Sequence, residues 1–494
     1  MEAGLFSLQN GSDVRGVALE IPGGRPVNLT EEAAGRIAGG FAIWLSGKLG
    51  RPEGALTVGV GHDSRLTAGV LKQAVCRGLA ARGAACADCG LASTPAMFMG
   101  TVFPETGFDG AVMITASHLP RERNGLKFFT RAGGLDKPDV RAVLELAAAL
   151  PAPEGKACAA PCGLMDLYAA SLREKIAAGV GGERPLAGLH LVVDAGNGVG
   201  GFFVRDVLEP LGANCTGSQF LEPDGSFPNH APNPEDKAAM DSLRAAVLAS
   251  GADLGIIFDT DGDRMSAVLS DGREVNRDAI IAMMAAILAP DYPGSTIVTD
   301  SVTSDRLTAF LEGLGLTHRR FKRGYRNVIN ESVRLNAEGV CSPLAIETSG
   351  HGALRENYFL DDGAYMAVKL ITAAAKAGAR GEGLEGLIAA LPPAGEAQER
   401  RIPIAGADTA DYGARVLEAF RARAEARGLT LAQSCEGVRL TWPGEGWLLL
   451  RLSLHDPLLP LNVESLAPGG CRPLLDTARA LLSGFDRLDL SALD

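Results

Sequence analysis

Apolar runs of strand length alternate with alanine-rich stretches of helical length along most of this chain. By period and by flanking turn residues, 55–60, 84–88 and 110–114 read as strands, and 71–81 and 140–150 as helices. Strand and helix in alternation build βαβ units around a parallel or mixed sheet, which confines the fold to the α/β class. The pattern breaks in a Pro/Ala/Gly-rich run at 150–163, restarts at 189 and again at 295–298, and meets a second linker at 391–395. Beyond that linker the texture changes. Residues 438–440 and 447–454 alternate like antiparallel strands, so the C-terminal part reads as an α+β unit. A chain of 494 residues, 46% of them hydrophobic, can build several such cores.

Composition narrows the function classes. No apolar stretch of ~18 residues is free of charge or turn residues, so no transmembrane helix is expected. A net charge of −12 argues against general nucleic-acid binding and against anionic membranes. It leaves room for a locally positive cleft. Nine cysteines, an odd number, and an acidic, short N-terminus at which no signal peptide is expected point to a reduced, cytoplasmic setting as the expectation. Cys86-x-x-Cys89 has no second pair at zinc spacing, and Cys158 and Cys162 sit in the first linker.

Two motifs carry the chemistry. Thr115-Ala116-Ser117-His118 follows the apolar run 111–114, and Pro120 and Asn124-Gly125-Leu126-Lys127 come soon after. A serine at a strand terminus, ringed by short polar and cationic groups, suits a hydroxyl that carries a phosphoryl group. A Ser/Thr-rich turn capping a helix is the plainer alternative. The second motif is Asp259-Thr260-Asp261-Gly262-Asp263-Arg264, entered from the strand-like run 254–258. Three alternate carboxylates converge on one hard cation if the backbone turns tightly, and Gly262 permits that turn. An EF-hand would need glycine at loop position six and glutamate at twelve, where this chain has Arg264 and Ser270. Three carboxylates leave room for an exogenous phosphate oxygen on magnesium, and Arg264 is placed to clamp the same phosphate. A solvated acidic turn is the alternative. Gly196-Asn197-Gly198-Val199-Gly200-Gly201 formally satisfies the dinucleotide fingerprint, yet no acidic residue closes the next strand. Close strand-to-helix packing explains those glycines better.

Further stations in the same order extend the pattern: Asp13-Val14-Arg15-Gly16, Val60-Gly61-His62-Asp63-Ser64-Arg65, Thr94-Pro95, Asp194-Ala195-Gly196-Asn197-Gly198 and the run 223–229. Lys322-Arg323-Gly324-Tyr325, Glu347-Thr348-Ser349-Gly350-His351 and Asp361-Asp362-Gly363 follow. Together they resemble the α-D-phosphohexomutases, in the phosphomannomutase/phosphoglucomutase branch. The resemblance implies a four-domain, heart-shaped α/β architecture: three similar α/β domains with mixed sheets and a C-terminal α+β domain. The expected boundaries are 1–155 with the phosphoserine loop, 156–275 with the metal loop, 276–392 with the sugar loop and 393–494 with the phosphate loop. It also implies reversible transfer of phosphate between the 1- and 6-positions of mannose and/or glucose phosphate. Phosphorylated Ser117 gives its phosphoryl group to the sugar, and a hexose 1,6-bisphosphate intermediate, also an activator, returns the other phosphate. Mg2+ would be held by Asp259, Asp261, Asp263 and Ser117. Arg15, His118, Lys127 and Arg264 would line the reacting phosphate, with Lys127 or His118 moving the hydroxyl proton. Glu347 and Ser349 resemble the pair that grips two sugar hydroxyls, and Lys322, Arg323 and His351 belong to the substrate loops. The partners expected are small hexose phosphates, with neither nucleic acid nor membrane, for a monomer or dimer. Glucosamine phosphate is disfavoured, because the opening lacks that branch's fuller G-T-D-G-I-R-G.

Departures from the family pattern concentrate in the fourth domain. Its phosphate loop usually reads R-x-S-[GN]-T-x-P and here is Arg451-Leu452-Ser453-Leu454-His455-Asp456-Pro457. Leu454 does not easily reach positive φ, so backbone amides wrap phosphate less readily, and His455 is the candidate replacement donor beside Arg451 and Ser453. Ser12 stands where the branch often has tyrosine, and Thr348 where methionine is common. Two rival classes stay open at this point: a metal-dependent phosphatase or sulfatase-like hydrolase, and a non-catalytic sugar-phosphate binder.

Overall fold

The computed structural model describes residues 2–156, 158–453 and 456–494. The chain forms two compact units: residues up to Ile280 together with Ser349–Gly386, and Ile281–Thr348 together with Leu387–Asp494.

In the first unit an eight-stranded mixed sheet runs in the order Gln9–Asn10, Asp13–Val17, Arg123–Thr130, Gly110–Ile114, Thr57–His62, Ala85–Leu91, Ala160–Pro161, with Gly133–Gly134 paired to Arg123–Thr130. Its centre is parallel, with Val60 opposite Val112 on one side and Asp88 on the other. Helix Glu31–Leu49 starts at Thr30, whose hydroxyl accepts from the Ala33 amide, and ends at left-handed Gly50. Its Ile37 and Phe41 share one core with Val58, Val112 and Ile114 of the sheet and with Leu71 and Val140 of helices Ala68–Ala80 and Lys137–Ala148. The run expected to be only a linker differs in one respect: its residues Ala160–Pro161 pair with Ala87 and Asp88 as the edge strand.

A second sheet of this unit orders Glu274–Val275, Met265–Leu269, Leu254–Phe258, Leu191–Asp194. Leu191–Asp194 and Leu254–Phe258 are parallel, but Leu254–Phe258 and Met265–Leu269 are antiparallel, with Phe258 opposite Met265. Residues 259–264 therefore turn back at once, and all three acidic residues fall in that turn. The segment Ser349–Gly386 adds a hairpin, Gly352–Leu354 with Leu360–Asp361, and helix Gly363–Gly378.

The second unit holds three parallel strands, Thr317–Arg320, Thr296–Thr299 and Leu344–Ile346, with helices Asp305–Gly313 and Tyr325–Ala337. It also holds an antiparallel sheet ordered Glu396–Pro403, Leu458–Ser465, Gly446–Leu450, Val438–Trp442, Leu431–Ala432. Val416 and Phe420 of helix Thr409–Ala426 and Leu475 of helix Cys471–Leu482 pack with Leu448 and Leu461 of that sheet. The architecture is the α/β class with a C-terminal α+β sheet. Among the described residues no helix is long and apolar enough to cross a membrane. All nine cysteines are free thiols, and Cys76 Sγ lies 2.9 Å from Cys86 Sγ.

Candidate active site

Ser117 follows strand Gly110–Ile114 and is 1% exposed, at φ +51. Its Oγ donates to Asp259 Oδ2 at 2.9 Å and lies 3.4 Å from His118 Nδ1. Asp259 is the first residue of the acidic turn, and its other oxygen accepts from the Gly262 and Arg264 amides at 3.0 and 3.2 Å. Gly262 takes φ +74, the left-handed conformation that closes this turn. Lys127, from strand Arg123–Thr130, donates to Asp261 Oδ2 at 2.9 Å and to Asp263 Oδ2 at 2.5 Å. Thr94 donates its hydroxyl to Asp261 Oδ2 and its amide to the Asp261 carbonyl. A Cβ on Gly198 would stand 2.6 Å from the Thr260 carbonyl oxygen, so that glycine lets the neighbouring turn close onto the acidic loop. Packing against a loop, rather than nucleotide binding, accounts for this glycine.

Cations and imidazoles surround the cluster. Arg264 Nε sits 3.8 Å from Asp259 Oδ2, and Arg15 pairs with Asp13 at 2.8 Å. His351 Nδ1 lies 2.5 Å from Asp361 Oδ2 and 3.8 Å from Asp263 Oδ1. Positive charge on Arg264, then burial and Arg15, hold His118 far below the ordinary histidine range, so its ring is neutral. Burial, followed by Arg264, brings His351 down to about 3. Burial opposes charge on Lys127, yet Asp261 and Asp263 outweigh it and keep the ammonium protonated well above its usual range. Burial and the two neighbouring carboxylates push Asp259 well up. Burial works the same way on Asp261, but Lys127 and the Thr94 hydroxyl outweigh it and lower that group.

This donor set suits a hard divalent cation. Oxygens of Asp259, Asp261 and Asp263 lie within 4.8 Å of one another, and the Oδ1 atoms of Asp261 and Asp263 are buried without a hydrogen bond. Buried carboxylate oxygens left unpaired, among like charges, are the donor set that a hard cation such as Mg2+ would satisfy.

The remaining sequence candidates divide between the two units. Ser349, with a buried hydroxyl that makes no hydrogen bond, and His351 belong to the first. Lys322, Arg323, Glu347, Arg451 and Ser453 belong to the second. There the Gly324 amide donates to Glu347 Oε1 at 2.6 Å, and the Arg323 amide to Glu436 Oε1 at 2.9 Å. Arg451 is 6% exposed; burial, then Arg323, lowers its guanidinium pKa. Ser453 Oγ accepts from the Asp456 amide at 3.2 Å. Leu454 and His455 lie outside the described residues. Thr348, which stands where methionine is common, holds Asp300 with its hydroxyl at 2.8 Å, and Arg323 Nε stands 3.9 Å from the same carboxylate. Asp300 and Glu436 escaped the sequence reading because neither lies in a motif. Thr94 and Asp361 do lie in recognisable motifs, and that position was the available signal.

The whole chain has relatives. Residues 7–150, 166–272 and 276–393 match, in turn, α/β/α domains I, II and III of phosphoglucomutase/phosphomannomutase. The phosphomannomutase/phosphoglucomutase of Pseudomonas aeruginosa is 30% identical over 428 residues, 86% of this chain and 87% of that protein. The phosphoglucomutase of Neisseria gonorrhoeae is 30% identical over 457 residues, 92% of each chain. A crystal structure of a phosphoglucomutase/phosphomannomutase family protein from Burkholderia thailandensis superposes with a TM-score of 0.80 at 25% identity, covering 97% of this chain and 98% of that one. The chain therefore belongs to the phosphoglucomutase/phosphomannomutase family of phosphohexomutases, enzymes of intramolecular phosphoryl transfer.

Proposed function

We propose that the protein interconverts the 1- and 6-phosphates of glucose, mannose or both by passing a phosphoryl group through Ser117. The observation that carries this reading is the Ser117 hydroxyl held 2.9 Å from Asp259, beside two buried carboxylate oxygens that make no hydrogen bond. Asp259, Asp261, Asp263 and the Ser117 oxygen hold Mg2+, which when bound neutralises charge on the transferring phosphoryl group. In the resting form Ser117 carries the phosphoryl group. Its P–O bond breaks as a new one forms to the free sugar hydroxyl, giving hexose 1,6-bisphosphate. The other phosphate then returns to Ser117. The proton given up by the attacking sugar hydroxyl ends on Ser117 Oγ as its P–O bond breaks, relayed by the neutral ring of His118, 3.4 Å from that oxygen, and it travels back in the second transfer. Lys127, Arg264 and Arg15 supply fixed positive charge. Lys322, Arg323, His351, Arg451 and Ser453, joined by His455, hold the phosphate that is not reacting, while Glu347 and Ser349 grip sugar hydroxyls.

Intact-mass measurement before and after incubation with glucose 1,6-bisphosphate tests this. The wild type is expected to gain one phosphoryl group and Ser117→Ala none, with turnover of glucose 1-phosphate and mannose 1-phosphate lost in the variant. Wild-type protein that isomerises sugar phosphate without ever gaining that mass overturns the reading. Release of inorganic phosphate in place of isomerisation would make it a hydrolase.

A further inference from the structure

We propose that Asp63, Thr115 and Arg65 act as positioning residues that preset the Ser117 hydroxyl before any substrate arrives. The inference rests on the phosphoserine reading above and adds what holds that serine in place. Ser117 is a non-glycine residue at φ +51, a conformation that a side chain with a Cβ keeps only where its surroundings over-determine it. Its amide donates to Thr115 Oγ1 at 2.8 Å, and the Thr115 hydroxyl donates onward to Asp63 Oδ2 at 2.7 Å. Asp63 also accepts from the Arg65 amide at 3.0 Å and from Arg65 Nε at 3.2 Å.

Arg65 then closes the loop from outside. Nη2 donates to the carbonyls of Ser117 and Leu119, and Nη1 to those of Pro120 and Arg123 at 2.8 and 2.9 Å. A guanidinium has five N–H donors in a rigid plane, and here all five have acceptors. Both side chains of the Asp63–Arg65 pair are fully buried. The Phe227 ring covers the guanidinium at 5.4 Å. A buried ion pair is weak evidence for added stability, so its use here is to specify one loop conformation. The sheet makes this possible. Parallel strands Thr57–His62 and Gly110–Ile114 end side by side, and the Asp63 amide donates to the Ile114 carbonyl at 3.1 Å. Asp63 and Thr115 thus leave the sheet as neighbours. None of the three is needed to touch phosphate or metal, and the Ser117 oxygen is aimed by the sheet itself.

The test is the rate at which Ser117 is phosphorylated by glucose 1,6-bisphosphate under saturating Mg2+, read by quenched intact mass, together with kcat and KM for glucose 1-phosphate. Thr115→Val removes the hydroxyl at nearly constant shape. It is expected to slow phosphorylation and kcat by on the order of 100-fold, the cost of a misplaced reacting group, with KM almost unchanged. Thr115→Ser restores the hydroxyl and is expected to stay close to wild type. Arg65→Lys, with three donors for five acceptors, is expected to behave like Thr115→Val. A Thr115→Val protein phosphorylated at the wild-type rate overturns the proposal, as does a Thr115→Ser protein as slow as Thr115→Val. If Thr115→Val does not fold, Arg65→Lys decides: a wild-type rate there overturns the proposal equally. A wild type that never takes phosphate on Ser117 defeats the phosphoserine reading instead, so the two failures are distinct.

Discussion

Beside Ser117, two carboxylates, Asp261 and Asp263, meet the ammonium of Lys127 at hydrogen-bond distance, and Lys127 is 4% exposed. Removing one partner of a buried ion pair strands the other, at a cost of about 3–5 kcal/mol. Lys127→Met is therefore expected to lower the unfolding free energy by about that amount in EDTA, followed by denaturant titration. Mg2+ at a hundred times its Kd is expected to return about 2.7 kcal/mol, because it binds the folded state alone. Equal stability of variant and wild type in EDTA would mean the ammonium does not hold the cluster together. At this scale the sequence was informative where the chemistry is contiguous: alternate carboxylates around Gly262, or a serine beside a histidine. It was silent where charge is balanced from afar. Glu436 lies more than a hundred residues from Arg323, whose amide it accepts, and no local pattern reveals that pairing.

Elements place single groups in environments that set their behaviour. Arg451 leaves the end of strand Gly446–Leu450 with its Nε buried and unpaired, an arrangement ready for an oxyanion. A charge-assisted contact is worth ~1.5–3 kcal/mol, so Arg451→Ala is expected to raise KM roughly 10- to 100-fold. A phosphate bound alike in ground and transition states leaves kcat less affected, and steady-state kinetics separate the two. Unchanged kcat/KM would mean this loop does not touch substrate. His318, on strand Thr317–Arg320, has a threonine hydroxyl 2.8 Å or less from each ring nitrogen, and burial, then Arg320, brings it down to about 3. The unfolded chain takes up this proton near pH 6.5, whereas the folded protein resists until about pH 3. Stability from this group is thus full above pH 6.5 and falls as pH drops towards 3, by about 1.4 kcal/mol per pH unit at most. His318→Asn is expected to flatten the denaturation midpoint against pH across that window. Strand and helix positions were legible because their periods are long enough to count. The edge strand Ala160–Pro161 was not, since two residues have no period, and the alternation read at 447–454 ends, among the described residues, at Leu450, with 454 outside them.

At the level of the whole molecule, neither compact unit is one stretch of chain. The repeated α/β texture was legible as successive modules. The return of Ser349–Gly386 to the first unit was not, because it depends on contacts far apart in sequence. Asp362 from that segment accepts the Tyr168 hydroxyl at 2.6 Å, and helix Gly363–Gly378 packs on Leu164–Val180. A chain ending at Ile280 is accordingly expected to be cleaved by protease far faster than the same region in the full protein, as limited proteolysis with mass mapping would show. Protection equal to the full chain would make the returning segment dispensable. The order of synthesis gives this arrangement a cost in time. Asp263 leaves the ribosome roughly 90 residues before His351 and Asp361, which at about 5–20 residues per second is roughly 5–20 s. For that interval every nascent molecule carries its acidic turn without the wall that later covers it, and completion of the site waits on a late part of the message.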